Sequence, residues 1–110
     1  MTGKNSNAQI QAFYRDVNER IAAISRGFDA TARLEILCEC GAATCTERVQ
    51  IEDADYEAVR SRPTHVAVLA GHQDRSVEDI VEQRDGYLVV ANYGAAATVA
   101  RRTDPRSASR

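Results

Sequence analysis

The chain has 110 residues, and its 14 basic and 16 acidic side chains are interleaved to a formal net charge of −2. No strong field of either sign covers such a surface, which excludes nucleic-acid binding driven by charge alone. No run of about 18 apolar residues occurs, so the hydropathy pattern holds no transmembrane helix.

The length predicts one domain. A folded part of about 90 residues buries only about 60–65% of the surface that its unfolded chain exposes, so a core of this size gains from a staple such as a structural metal. Met1 to Asn7 is polar and has no apolar run of the signal-peptide kind. The expected location is cytoplasmic, where thiols stay reduced and clustered cysteines bind metal more often than they form disulfides.

Ser6-Asn7-Ala8-Gln9 reads as a capping box that opens a helix. Ile10, Tyr14, Val17, Ile21, Ile24 and Phe28 then alternate steps of four and three, which draws one apolar stripe down that helix, and Gly27 is expected to stop it. The stripe is expected to pack on the sheet that follows. Its near-heptad spacing leaves pairing with a second copy as the alternative, so the chain is read as a monomer or a homodimer. Arg15 with Glu19 and Asp16 with Arg20 read as ion pairs on the wet face.

Alternation predicts strands from Arg33 to Glu39, with Leu34, Ile36 and Cys38 on one face, and from Thr46 to Ile51, with Val49 and Ile51 on one face. Asp53 to Arg60 has acidic residues in its first turn, with Arg60 and Arg62 at the end, the order a helix dipole favours; Pro63 stops this short helix. His65 to Leu69 reads as a third strand. Asp85-Gly86 reads as a two-residue turn joining Asp79–Arg84 to Tyr87–Ala91, with a helix over 78–83 as the alternative for the first arm. The fold class is α+β: a long N-terminal helix on a small, mainly antiparallel sheet of about five strands, with one short helix. Residues 93–110 carry Arg101, Arg102, Arg106 and Arg110 without apolar periodicity, and are expected to be a disordered tail behind a domain of residues 1–92.

All three cysteines fall in one window, Cys38, Cys40 and Cys45. Zinc takes four soft ligands at tetrahedral angles. Alternate residues of a strand share a face, so Cys38 and Cys40 can hold one ion as their strand ends, Gly41 lets the chain turn, and Cys45 returns on the other arm. The favoured fourth ligand is His72, which follows Gly71 at a strand exit; His65, Glu39, Asp74 and water are the alternatives. Three thiolates and a neutral imidazole around a dication leave one net negative charge, a closed shell suited to structure. Buried packing and a redox pair of Cys45 with Cys40 or Cys38 compete with this reading.

The runs Phe13 to Ile21, Cys38-Glu39-Cys40-Gly41 with Cys45 to Val49, Tyr56 to Arg60 ahead of Pro63-Thr64, and Gly71-His72 together resemble a family of small, largely uncharacterised actinobacterial proteins. The resemblance covers most of residues 13 to 90 and implies Cys38, Cys40, Cys45 and His72 as the ligand set. His65 stands where many relatives carry an aromatic residue, and Ala70 where proline is frequent. The resemblance implies no activity.

The sequence has no phosphate-binding glycine loop, no nucleophile elbow and no zinc-protease or zinc-deaminase motif. The reading that follows is a non-catalytic, zinc-binding interaction or regulatory module with a protein partner. The alternative is a thiol-based redox or metal sensor. A small zinc hydrolase would need an open metal position and a base such as Glu39 or Glu47, a Cys45–His72 nucleophile pair would need an oxyanion site, and a DNA-binding regulator would need a basic helix.

Overall fold

The computed structural model describes residues 4–29 and 33–106, and its elements run α1 (Lys4–Phe28), β1 (Arg33–Leu37), β2 (Arg48–Glu52), α2 (Asp53–Arg60), β3 (His65–Val68), β4 (Glu78–Arg84), β5 (Tyr87–Asn92) and α3 (Gly94–Arg102). This is an α+β fold. The five strands divide into two antiparallel sheets, a β1-β2 hairpin and a three-stranded sheet in the order β3-β5-β4. The segment open to a helical reading is strand β4, joined to β5 across Asp85-Gly86 with a register shift between Ile80 and Glu82.

Alternation drives the hairpin as expected: Leu34, Ile36, Val49 and Ile51 point into the core, while Arg48 and Gln50 face solvent. The same core takes Tyr56 and Val59 from α2, Val66 to Val68 from β3 and Tyr87 to Val90 from β5. Beyond this shared core, Glu39 ties the end of β1 to β3 through hydrogen bonds. The amide of Glu39 donates to the carbonyl of Ala67 at 3.0 Å, and the amide of Ala67 donates to Oε1 of Glu39 at 3.0 Å, on the edge of β3 that faces away from β5. A side chain thus stands in for one rung of a ladder.

Helix α1 departs from the expectation in which face it buries. Its inward row is Ala8, Gln11, Arg15, Asn18 and Ala22, and Arg15 is only 1% exposed. Arg15 donates to the carbonyl of Pro63 at 3.0 Å and to Oγ1 of Thr103 at 3.1 Å, so it makes no wet-face pair with Glu19. Glu19 instead accepts from Arg60 and Arg106. The apolar stripe flanks this row: Ile10, Tyr14, Val17 and Ile21 are half-buried, and Ile24 and Phe28 are exposed. The reason is that polar side chains can be buried when nearly all their groups are hydrogen-bonded; only Nε of Arg15 is left without a partner in this row, and these side chains reach backbone groups at strand ends that no apolar residue could satisfy. The helix has begun by Lys4, so Ser6 lies inside its first turn and does not cap it; the side chain of Ser6 lies outside the described ones. Gly27 lies within the last turn.

The stretch expected as a disordered tail is largely structured. Gly94–Arg102 forms α3, which buries Ala96, Ala97, Val99 and Ala100 and packs on α1 and β5. Alanines add little hydropathy, yet they let two helices approach closely, and alanine has the best helix propensity. Beyond α3, Asp104 is buried and accepts from Nη2 of Arg60 at 2.7 Å. Arg106 forks onto both Glu19 and Glu57 at 2.7–3.0 Å. Arg110, assigned to the same tail, lies outside the described residues. No helix among the described residues is long and apolar enough to cross a membrane.

Candidate metal centre

The cysteine segment leaves β1 at Cys38 and returns to β2 after Cys45. Its register is fixed at both ends, by the amide of Cys38 donating to the carbonyl of Glu47 at 3.1 Å and by a turn in which the amide of Cys45 donates to the carbonyl of Ala42 at 3.1 Å. Gly41, with φ of +80°, lets the chain reverse behind Cys40. His72 arrives from the exit of β3, through a turn in which its amide donates to the carbonyl of Leu69 at 3.0 Å and Gly71 takes φ of +90°. Cys38 is buried, while Cys40, Cys45 and His72 are half-buried.

Ligand atoms of Cys38, Cys40, Cys45 and His72 all lie within 4.8 Å of one another. Nδ1 of His72 stands 3.6 Å from the sulfur of Cys38 and 3.6 Å from that of Cys45. A zinc-like ion about 2.3 Å from sulfur and about 2.0–2.1 Å from nitrogen, at the tetrahedral angle, separates two such atoms by about 3.6 Å. Two of the three cysteine–histidine edges, those from Cys38 and Cys45, already have that length. The group is therefore positioned to bind a metal ion, through Nδ1 of the imidazole.

The surroundings suit thiolate. The amide of Leu69 donates to the sulfur of Cys38 at 3.3 Å, and the backbone at Ala42 and at Glu47 favours the charged form of Cys40 and of Cys45. The thiol of Cys38 also donates to Cys40, which brings Cys40 down to about 4 and pushes Cys38 up, with burial adding to the rise. Burial chiefly pushes Cys45 up. In the metal-free cluster the first negative charge thus settles on Cys40, and an ion would be needed to draw the other two protons off.

Glu39, between two of the cysteines, turns the other way. Its carboxylate is fully buried, accepting from Asn18 Nδ2 at 2.8 Å, Tyr56 OH at 3.3 Å and the amide of Ala67. Burial raises its pKa against the pull of those donors. Glu39 is thus a brace for the cysteine strand. Asn18 completes it, donating to the carbonyl of Leu37 at 2.9 Å and accepting from the amide of Leu37 at 2.9 Å, as a neighbouring strand would. Gln11 adds a donor to the carbonyl of Glu39 at 2.7 Å and one to buried Glu78 at 2.9 Å.

The other candidate ligands stand elsewhere. His65 opens β3, half-buried, where burial and then the nearby Arg62 lower its pKa. Asp74 accepts from the amide and hydroxyl of Ser76. Neither joins Cys38, Cys40, Cys45 and His72, the metal-ligating group found among the described residues, and neither does Glu39. Asn18 and Gln11, which position the site, escaped the sequence reading, although they recur at the same alternating steps as the apolar stripe.

Comparison of the chain with protein-family models, with curated proteins and with solved structures finds no match in any of the three.

Proposed function

We propose that the protein is a non-catalytic interaction or regulatory module stapled by one zinc ion on Cys38, Cys40, Cys45 and His72. The observation that carries this reading is the pair of 3.6 Å separations between Nδ1 of His72 and the sulfurs of Cys38 and Cys45, which match the edge of a tetrahedral zinc shell of sulfur and nitrogen. Zinc suits a set of three thiols and one imidazole better than calcium or magnesium, which prefer oxygen. Four protein ligands close the shell, so the ion holds the first hairpin to the exit of β3. The free thiols suit a reducing compartment such as the cytoplasm.

Two features favour a structural over a hydrolytic ion. A hydrolase needs an open ligand position, and the carboxylate of Glu39, which lies between two of the cysteines in sequence, is spent on Asn18, Tyr56 and Ala67. A second reading, a thiol-based redox or metal sensor, is favoured by one observation: Ala42, Ala43 and Thr44 are exposed and leave Cys45 half-exposed at the tip of the loop. Metal loss there would release the hairpin. The partner is taken to be a protein, because the acidic and basic side chains of the chain are interleaved to a formal net charge of −2.

Chelation tests the staple. Binding free energies of about 10–16 kcal/mol for zinc in small zinc domains exceed the usual domain stability of about 5–15 kcal/mol, so removing the ion is expected to unfold the chain. The expected outcome is loss of far-ultraviolet circular dichroism and of a cooperative melt, both recovered on adding zinc. An unchanged melt after verified metal removal would refute the staple.

A further inference from the structure

Helix α2 does not close completely on the sheet of β3, β5 and β4. Between them remains a cleft of about 170 Å³, open on one side, whose apolar lining is Ala58, Val59, Val81, Tyr87 and Val89. An apolar cavity of about 150 Å³ holds a benzene ring, so this cleft has room for a body of that size. Strand β4 is shaped to it. Neighbouring side chains of a regular strand face opposite sides, yet Val81 and Glu82 both line the cleft. The register shift between Ile80 and Glu82 leaves Val81 without a partner on β5 and sets Glu82 opposite Val89. Bulges re-aim side chains in this way beside binding sites.

Charge gives the cleft two unlike ends. Toward β4, Arg84 is held by Glu82 at 2.9 Å and by Asp55 at 3.8 Å, so its charge is matched. Toward the end of α2, Arg62 and His65 line the cleft and also a polar depression that adjoins it, with Ser61, Pro63, Thr64 and Arg101; no carboxylate among the described residues lines that depression. Among the described residues the guanidinium groups of Arg62 and Arg101 and the ring of His65 join no hydrogen bond and no ion pair. The carbonyls that end α2 do not occupy Arg62 either. That of Ala58 accepts the Ser61 hydroxyl at 2.6 Å, and those of Glu57 and Val59 accept the amides of Ser61 and Arg62. Burial and then the charge of Arg62 lower the pKa of His65, so its ring is neutral at neutral pH and offers one N–H donor.

We infer that this cleft binds a small organic carboxylate, its apolar body on Val59, Val81 and Val89 and its carboxylate on Arg62, with His65 and Arg101 beside it as further donors. A guanidinium fork matches the two oxygens of a carboxylate. Asp55 and Glu82 at the far rim repel a second negative charge, which selects a monoanion over a phosphate monoester. None of Cys38, Cys40, Cys45 and His72 lines the cleft, so the inference is independent of the zinc reading.

Titration of the full chain with benzoate, followed by amide proton–nitrogen spectra, tests this. Saturable shifts are expected at Val59, Val81 and Val89, with a Kd at least about tenfold lower than for benzyl alcohol or acetate, which carry the body or the head group alone. Arg62→Gln, at an exposed position, should weaken benzoate by about tenfold or more. Ala58→Leu, also exposed and compatible with a helix, should fill the cleft and abolish the shifts while the rest of the spectrum stays that of the folded chain. The absence of saturable shifts overturns the inference, and so does equal binding of benzyl alcohol or acetate, tighter binding of phenyl phosphate, or binding indifferent to Arg62→Gln.

Discussion

Gly41 and Gly71 both hold φ in the left-handed region, at +80° and +90°, but their surroundings differ. A Cβ on Gly41 would stand 2.8 Å from the carbonyl oxygen of Asn7 in the first turns of α1, whereas one on Gly71 would meet nothing within 4 Å. Gly71→Ala should therefore cost the backbone term alone, about 1–2 kcal/mol. Gly41→Ala should cost that and more, because α1 must also retreat from the cysteine loop. Urea denaturation of the two metal-loaded variants checks the order, and equal losses would contradict the close approach. Gly41 was legible as the turn behind Cys40, because glycine is the residue such turns select. Its contact with Asn7 was not, since it joins parts of the chain that no local pattern relates.

At the scale of elements, the hairpins and the short helix were legible because period-two burial, the Asp85-Gly86 turn and the charge order of α2 are local signals. The inward face of α1 was not. Gln11, Arg15 and Asn18 recur with helical period, but hydropathy assigns such residues to water; only partners distant in sequence, Glu39, Leu37, Pro63 and Thr103, make their burial favourable. The same account explains α3, whose alanines carry little hydropathy and whose following residues supply the partners of Arg15 and Arg60. Removing residues 93–110 would strip Asp104 from a guanidinium with no exposed side-chain surface. Arg60 keeps Glu19 at 3.1 Å, but losing one of the two carboxylates of a buried ion pair costs up to about 3–5 kcal/mol, a large share of a stability of about 5–15 kcal/mol. The truncated chain is expected to lose its cooperative unfolding transition, followed by circular dichroism in urea. An unchanged midpoint would return the segment to the status of a dispensable tail.

For the molecule as a whole, the metal group lies where three separately built parts converge: the end of β1, the loop to β2 and the exit of β3. The three cysteines were legible as a cluster from spacing alone, and His72 from its place after Gly71. The buried brace of Asn18 and Glu39 became visible only with the fold, because it points away from the sulfurs and ties β1 to β3 and α1. That brace holds the strand that carries Cys38 and Cys40, and His72 stands 3.6 Å from the sulfurs of Cys38 and Cys45. X-ray absorption at the zinc edge, on protein purified without chelators, tests the central claim most directly. One zinc per chain is expected, with three sulfurs near 2.3 Å and one nitrogen near 2.0–2.1 Å, and the nitrogen should give way to oxygen in His72→Ala. A metal-free wild type, or a shell whose nitrogen survives that substitution, would contradict the account.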